Sequence, residues 1–272
     1  MKALVTAPIC PLKARPDQAS ALADEALHGM VLDLLSDEGG GWYKARTHYG
    51  YTGYVHAAHL RIDDGNALAW SSLPMQVMYH KNICDVLSGP QVQAWPLLSL
   101  PRGALVRPVD APADGWQRVA LCDGREGYTR SSFLRPHRTT PSPGGEDDLR
   151  RAITETAMDY YGTQYRWGGK TPCGIDCSGL VFMAYLLNGV VIWRDAEIKA
   201  GYPIREIPRT RIKRADLLFF PGHVAMYLED GTYLHATGRA GSDGVTINSL
   251  DPAAPRYRAD LAEGLLAVGS LF

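Results

Sequence analysis

One cysteine in the second half of the chain stands in a setting that suits nucleophilic chemistry. Cys177 lies in the segment GIDCSGL, between Asp176 and Ser178, and an apolar run follows it. This polar, glycine-rich setting differs from the apolar packing in which a lone cysteine is usually found. The run predicts a helix that begins near Cys177, and the partial positive charge at a helix start lowers the pKa of a thiol. The segment therefore predicts a reactive thiolate, with unpaired backbone N–H groups available to hold an oxyanion.

Two histidines are candidates for the base that such a cysteine needs. His223 opens the run HVAMYL, and His235 lies in the run TYLHA, with an Asp-Gly turn between the two. Alternating runs joined by this kind of turn predict an antiparallel hairpin, which brings side chains of the two strands together. The pattern predicts a Cys177–His223–His235 arrangement, in which His223 is the general base and His235 orients it.

The elements that must position these residues follow from the pattern of the second half. Residues 146–162 have apolar positions at helical spacing, acidic residues in the first turn and Gly162 as a stop signal. The runs ADLLFF, HVAMYL, TYLHAT and GVTINSL predict strands, with a hairpin turn at Glu229–Gly231. Helices followed by an antiparallel sheet predict an α+β fold. The basic run REIPRTRIKR predicts a solvated connection.

The first half contains an internal repeat. Two stretches each have a short apolar strand, an acidic turn and Gly-Trp, at Trp42 and at Trp116. Each continues with alternating residues and Gly-Tyr, at Tyr54 and at Tyr128. Alternation with period two between glycine turns predicts two small antiparallel barrels, with Tyr54 in the core of the first.

These patterns divide the chain into four segments. We predict a first barrel over residues 1–65, a second over 70–136, a linker rich in Pro, Thr, Ser and Gly over 137–146, and the α+β domain over 147–272.

Composition narrows the possible partners and compartment. The chain has 272 residues, of which 46% are hydrophobic and 21% charged, and its net charge is −1, so no nucleic acid partner is expected. Five scattered cysteines predict reduced thiols. The N-terminal segment lacks the apolar run of a signal peptide, and no stretch is long enough for a membrane span. We therefore expect a cytoplasmic protein; a mature form that had lost its leader would be periplasmic or extracellular.

The segments YRWGGKTPCGIDCSGLV, ADLLFF–HVAMYL and YLHA together resemble the NlpC family of papain-like cell-wall cysteine peptidases. The resemblance covers residues 147–272, and the paired barrels before them resemble bacterial SH3-like domains. The whole arrangement resembles γ-D-glutamyl-L-diamino acid endopeptidases of the YkfC type. It implies a monomer that needs no metal or organic cofactor and cleaves free murein peptides of the form L-Ala-γ-D-Glu-diamino acid, as in cell-wall peptide recycling.

The resemblance also implies roles for individual residues. Cys177 matches the nucleophile, His223 the base and His235 the third polar member. Tyr165 matches a tyrosine whose hydroxyl lies near the oxyanion, and Trp167 matches a wall of the substrate groove.

Further positions concern substrate recognition. Asp176 and Ser178 resemble residues that hold the substrate's free amine and backbone. A peptide without that amine would leave Asp176 unpaired, at a cost of several kcal/mol. A tyrosine of the first barrel closes the groove in relatives, and Tyr51 is favoured here over Tyr49. Ala196 stands where relatives often carry Ser, which removes a hydroxyl from the substrate side.

Other functions compete with the peptidase hypothesis. A thiol amidase or acyltransferase would use the same cysteine, and a non-catalytic scaffold would use the barrels to bind the cell wall. A zinc site at Cys173 and Cys177 with two histidines is disfavoured, because the spacing differs from that of usual zinc sites. Cys173 is interpreted as a loop residue.

Overall fold

The structure is a computed structural model that describes residues 1–141 and 143–272. The chain divides into unit 1, Met1–His137, and unit 2, Arg138–Phe272. Residue 142, inside the predicted linker 137–146, lies outside the described residues.

Unit 1 contains two seven-stranded antiparallel sheets. The strands of the first sheet are β1 Lys2–Val5, β2 Ile9–Lys13, β3 Leu22–Leu27, β4 Val31–Gly39, β5 Trp42–Arg46, β6 Thr52–His56 and β7 Leu60–Ile62. Those of the second are β8 Gln76–Met78, β9 Ile83–Leu87, β10 Pro96–Pro101, β11 Leu105–Pro108, β12 Trp116–Ala120, β13 Glu126–Arg130 and β14 Leu134–Pro136.

The two sheets have the same topology. The first has the order β3-β2-β6-β5-β4-β1-β7, and the second has the order β10-β9-β13-β12-β11-β8-β14. Each strand of the second sheet thus occupies the place of its counterpart in the first. Short 3-10 helices, Ala57–His59 and Ser131–Phe133, precede the last strand of each sheet. The internal repeat in the sequence is therefore also a repeat of the fold.

Burial alternates along β2, β6, β9 and β13, as period-two patterning predicts. In β6, Gly53 and Val55 are buried, whereas Tyr54 between them is only half-buried. The prediction that Tyr54 lies in the barrel core is wrong, because its side chain points to the opposite face from Val55.

A short helix, α1 Asp64–Ser71, joins the two sheets and was not predicted. Its apolar residues lack clear helical spacing, so the sequence carries little signal for it. Asp63 caps the helix by accepting a hydrogen bond from the Asn66 N–H at 3.0 Å. Trp70 Nε1 donates to the Gly29 carbonyl of the first sheet at 3.0 Å, which fixes the helix against that sheet.

In its described residues, unit 2 combines three α-helices and a 3-10 helix, Arg209–Arg211, with a six-stranded antiparallel sheet and a small two-stranded one. The helices are α2 Glu146–Met158, α3 Cys177–Leu186 and α4 Ala259–Glu263. The small sheet consists of β15 Lys170–Thr171 and β16 Gly174–Ile175. The strands of the large sheet are β17 Arg205–Ile207, β18 Leu217–Phe220, β19 His223–Tyr227, β20 Thr232–Thr237, β21 Gly244–Ser249 and β22 Ala267–Ser270, in the order β17-β22-β18-β19-β20-β21.

Helix α3 forms the centre of unit 2. It packs against α2, β19 and β20, and every one of its residues is buried. A helix enclosed on all sides needs apolar residues on all faces, which explains the run LVFMAYL. The predicted order, an all-β region followed by an α+β domain, is confirmed.

Helix α2 ends at Met158, earlier than the predicted stop at Gly162. The chain leaves the helix because it joins the edge of the large sheet: the Gly162 N–H donates to the Val245 carbonyl at 3.0 Å. Gly162 has a φ of +79°, which suits glycine at this reversal.

The four predicted strands around the histidines are all present, and Asp230 and Gly231 have positive φ in the hairpin turn. The basic run REIPRTRIKR is not only a connection, because Arg205–Ile207 pairs with β22 as an edge strand. Its arginine and lysine side chains are nevertheless exposed, as predicted. Within the described residues, no helix has the length and apolar character that crossing a membrane requires.

Candidate active site

The structure places Cys177 as the first residue of α3, as the sequence predicts. Asp176 precedes it as the N-cap residue, and its side chain accepts a hydrogen bond from the Gly179 N–H at 2.5 Å. The backbone N–H of Val224, the residue after His223, is placed to hydrogen-bond the Cys177 sulfur. The thiol therefore lies where the start of α3 meets the start of β19.

His223, His235 and Asn248 form a hydrogen-bonded chain across three adjacent strands. His223 Nε2 lies 2.8 Å from His235 Nδ1, and His235 Nε2 lies 2.9 Å from Asn248 Oδ1. In the observed register His235 pairs with Thr246, so Asn248, two residues further on, is its diagonal neighbour on the same face. The hairpin thus brings the two predicted histidines together and adds an asparagine that was not predicted.

This chain assigns the protons on the two rings. Asn248 Nδ2 donates to the Arg256 carbonyl at 3.0 Å, which turns Oδ1 towards His235. His235 must then donate from Nε2 and accept at Nδ1, so His223 donates from its own Nε2. The remaining nitrogen of His223, Nδ1, keeps its lone pair and is the atom able to accept a proton.

Burial controls the ionisation of the thiol and of both rings. Burial, and after it the charge of Asp176, raises the pKa of the Cys177 thiol to about 11. Burial also lowers the pKa of His223 to about 3 and that of His235 to about 4. The predicted lowering of the thiol pKa is therefore wrong for the unliganded site, because desolvation outweighs the helix start. At neutral pH these shifts favour the uncharged thiol and imidazoles.

Asp176 is already paired within the protein. Arg194 Nη1 lies 3.0 Å from its Oδ1 and Arg194 Nη2 lies 3.2 Å from its Oδ2. The N–H groups of Gly168 and Gly179 also donate to this carboxylate, as does the Ser178 hydroxyl at 3.3 Å. A carboxylate has about four acceptor positions, so these five contacts use its capacity. The argument that a substrate lacking an amine would leave Asp176 unpaired is therefore wrong.

Ser178 belongs to the same internal network. Its hydroxyl accepts a hydrogen bond from Arg194 Nη1 at 2.8 Å, and its residue surface is 7% exposed. The predicted contact of Ser178 with a substrate backbone stays a prediction.

Tyr165 is close enough to Cys177 for their charges to interact, and Trp167 lies at the surface. The half-buried hydroxyl of Tyr165 is within electrostatic range of Cys177 and Asp176, and burial raises its pKa to about 12. Tyr165 therefore stays protonated and can donate a hydrogen bond. Trp167 is 68% exposed, as suits a groove wall, although no contact in the unliganded structure tests that role.

The two tyrosines of the first sheet differ in environment. Tyr49 is 3% exposed and its hydroxyl donates to the Asp24 carboxylate, so Tyr49 is held within its own sheet. Tyr51 is half-buried in the turn between β5 and β6, where its backbone bonds to Thr47. This contrast agrees with the preference for Tyr51 over Tyr49, and the role of Tyr51 stays a prediction.

The remaining candidate positions lie outside this network. Cys173 is half-buried in the turn between β15 and β16, where its carbonyl accepts from Gln164 and Arg166. Ala196 is half-buried, and the effect of its missing hydroxyl stays a prediction. In residues 1–141 and 143–272, no three His, Cys, Asp or Glu side chains are grouped to hold a metal ion.

Two residues of the site were not assigned from the sequence. Asn248 lies in GVTINSL, and asparagine is depleted in strands, so its position was a weak signal. Arg194 lies in a loop, 18 residues after Asp176, and no local pattern indicates that it is 1% exposed.

A thiol at a helix start, next to the strand end from which a histidine chain begins, is the arrangement of a papain-like thiol hydrolase. The NlpC/P60 family model matches residues 162–261, which include Cys177, His223 and His235. The model of the bacterial dipeptidyl-peptidase SH3 domain matches residues 12–60.

Relatives support the same class along the whole chain. Dipeptidyl-peptidase 6 of Lysinibacillus sphaericus is 42% identical over 275 aligned residues, covering 100% of both chains. The γ-D-glutamyl-L-lysine dipeptidyl-peptidase of Bacillus subtilis is 33% identical over 147 residues, which are 50% of this chain and 46% of that protein. This protein belongs to the NlpC/P60 family of cell-wall peptidases and is a cysteine peptidase.

A solved structure shows the same fold. An NlpC/P60 family protein from Bacillus cereus superposes with a TM-score of 0.79 over 98% of each chain, at 22% identity. The predicted fold class, an α+β papain-like domain after an all-β SH3-like region, is confirmed.

Proposed function

We propose that this protein hydrolyses the γ-D-glutamyl–L-diamino acid bond of free murein peptides that begin with L-Ala. Cys177 is the nucleophile and His223 is the general base. The observation that carries this proposal is the hydrogen-bonded chain Asn248–His235–His223, which runs to the strand end where the Val224 N–H meets the Cys177 sulfur.

The reaction begins from the neutral pair. As the sulfur attacks the scissile carbonyl and the carbon–sulfur bond forms, His223 Nδ1 takes the thiol proton. The resulting imidazolium is stabilised because its Nε2–H donates to His235 Nδ1, 2.8 Å away. Backbone N–H groups at the start of α3 and the hydroxyl of Tyr165 donate to the developing oxyanion.

Two further steps complete the cycle. The tetrahedral intermediate breaks its carbon–nitrogen bond, and His223 returns the proton to the departing amine of the diamino acid. The thioester left on Cys177 is hydrolysed by water that His223 activates, which releases L-Ala-γ-D-Glu and the free thiol.

The substrate proposal is supported by the names of relatives. The full-length relative is called a dipeptidyl-peptidase, and two partial ones are called γ-D-glutamyl-L-lysine dipeptidyl-peptidases. Release of a dipeptide fits a substrate with a free N-terminus. Because such a peptide carries no sugar, we propose a role in recycling cell-wall peptides, with the cytoplasm as the compartment.

Mass spectrometry of L-Ala-γ-D-Glu-diaminopimelate and its N-acetylated copy would test this proposal. Wild type should convert only the free-amine peptide to L-Ala-γ-D-Glu, Cys177→Ala should convert neither, and Cys173→Ala should behave as wild type. Cleavage of both peptides would keep the peptidase and remove the amine requirement. If wild type cleaves neither peptide, the γ-D-glutamyl assignment fails. Transfer of an acyl group from another donor to an added amine acceptor would then indicate an acyltransferase.

A further inference from the structure

Unit 2 contains an open cavity of about 470 Å³ that the proposed mechanism does not use. Its lining is Arg239, Tyr257, Arg258, Ala259 and Asp260. Three of these five side chains are charged, so the cavity is suited to a polar or charged ligand.

One wall of the cavity adjoins Tyr165. Arg239 follows Gly238, which lies so close to Tyr165 that an added Cβ would be 3.2 Å from the Tyr165 ring. The Arg239 N–H donates to Thr237 Oγ1 at 3.3 Å, at the end of the strand that carries His235. Arg239 is thus positioned by β20, the strand that carries His235.

The opposite wall of the cavity is hydrogen-bonded to β21, the strand that carries Asn248. The Arg258 N–H donates to the Ser249 carbonyl at 3.2 Å, one residue after Asn248. The charges of Arg258 and Asp260 both act on the rings of His223 and His235. The cavity therefore adjoins the strands that carry His235 and Asn248.

The charges in the cavity do not cancel. Arg258 binds Asp260 through two contacts, Nε to Oδ1 at 2.7 Å and Nη2 to Oδ2 at 2.6 Å. Arg239 Nη1 lies 3.8 Å from Asp260 Oδ1, too far for a hydrogen bond. Two guanidinium groups thus face one carboxylate, and the cavity keeps one positive charge in excess.

Of the two guanidinium groups, only that of Arg239 is open to a ligand. Arg258 Nη1 is buried and finds no hydrogen-bond partner among the described residues. The side chain of Arg239 is 57% exposed, so it can move to meet a ligand. Guanidinium groups match the planar, two-oxygen geometry of a carboxylate.

We propose that this cavity binds a carboxylate of the substrate peptide and that Arg239 is a specificity-determining residue. This inference rests on the proposed function and identifies a residue that determines which peptides are cleaved. Two carboxylates flank the scissile bond in such a peptide: the α-carboxylate of the γ-linked D-Glu and the α-carboxylate of the diamino acid. Either carboxylate can accept hydrogen bonds from a guanidinium group of the cavity.

The test compares three forms of L-Ala-γ-D-Glu-L-Lys: the free acid, the D-Glu α-amide and the L-Lys α-amide. kcat/KM is measured for wild type, Arg239→Ala and Arg239→Lys. Arg151→Ala is the matched control, because Arg151 is an equally exposed arginine with one carboxylate partner, on α2 and outside the cavity.

Wild type should cleave one amide about 10–100-fold less efficiently than the free acid, the loss expected for one charge-assisted hydrogen-bonded contact. The amide that is disfavoured identifies the carboxylate. Arg239→Ala should bring that amide and the free acid to within about threefold of each other, and Arg239→Lys should keep part of the preference, because its point charge lacks the fork of donors. Arg151→Ala should match wild type.

Three outcomes would overturn the inference, and they separate it from the proposed function. Equal cleavage of all three peptides by wild type, or a preference that survives in Arg239→Ala, removes the carboxylate site and leaves the γ-D-glutamyl peptidase intact. If wild type cleaves none of the three and also leaves L-Ala-γ-D-Glu-diaminopimelate intact, the proposed function fails and the inference fails with it.

Discussion

The guanidinium of Arg194 contacts both carboxylate oxygens of Asp176, at 3.0 Å from Oδ1 and 3.2 Å from Oδ2. Arg194 also donates to the Gly169 carbonyl at 3.2 Å. It therefore connects the loop that contains Gly168 and Gly169 to the first turn of α3. The approach of loop and helix is close: a Cβ on Gly179 would lie 2.3 Å from the Gly169 oxygen. The position of Cys177 therefore depends on this ion pair.

Replacement of Arg194 by Met should destabilise unit 2. The change leaves Asp176 buried without its cation, and loss of one partner from a buried pair costs about 3–5 kcal/mol. Hydrogen exchange of the α3 amides in the full chain would measure the loss. Arg151→Met, which breaks an exposed pair with Asp148, should cost at most about 1 kcal/mol. Equal effects of the two changes would contradict a structural role for Arg194.

Replacement of Asp176 by Asn should leave the preference for a free N-terminus unchanged. The acceptor capacity of Asp176 is used by Arg194, Ser178 and two backbone N–H groups, so the substrate amine must be recognised elsewhere. The measurement is the ratio of kcat/KM for free and N-acetylated L-Ala-γ-D-Glu-L-Lys. If that ratio falls to near one in Asp176→Asn but stays high in wild type, Asp176 contacts the substrate amine after all.

The pH profile of kcat/KM should be flat through neutral pH. An imidazolium cannot accept the thiol proton, so activity is lost only as pH falls towards the His223 pKa, which burial lowers to about 3. Asn248→Asp places a negative charge against His235, which favours the protonated rings and should move the acidic limb of the profile to higher pH.

The control for that shift is Asn82→Asp, the same change at an exposed position in unit 1. It should reproduce the wild-type profile. An acidic limb near the ordinary histidine pKa in wild type would contradict the neutral histidine chain.

Alkylation of Cys177 by iodoacetamide should accelerate steadily with pH. The reactive form is the thiolate, and with a thiol pKa of about 11 its fraction rises about tenfold for each pH unit through the neutral range. Mass spectrometry of the Cys177 peptide would follow the rate, with half-buried Cys173 as the comparison in the same sample. A rate that is already constant below neutral pH would indicate a thiolate–imidazolium pair instead.

Local patterns were sufficient to predict the elements that carry the site. The start of α3 at Cys177 follows from a glycine-rich polar segment before an apolar run, and the His223–His235 hairpin follows from two alternating strands around an Asp-Gly turn. The repeated order of the two sheets follows from the repeated Gly-Trp and Gly-Tyr positions. Helix α1 was missed because its few apolar residues lack helical spacing.

The sequence alone thus determined the fold class, the candidate nucleophile and the two histidines, because helix starts, strand alternation and turns depend on residues within a few positions of each other. Only the tertiary structure decided that burial opposes charge on the thiol and the imidazoles, that Asn248 extends the histidine chain and that Arg194 neutralises Asp176. These properties depend on desolvation and on charges brought together through space from distant parts of the chain. No local spacing contains that information.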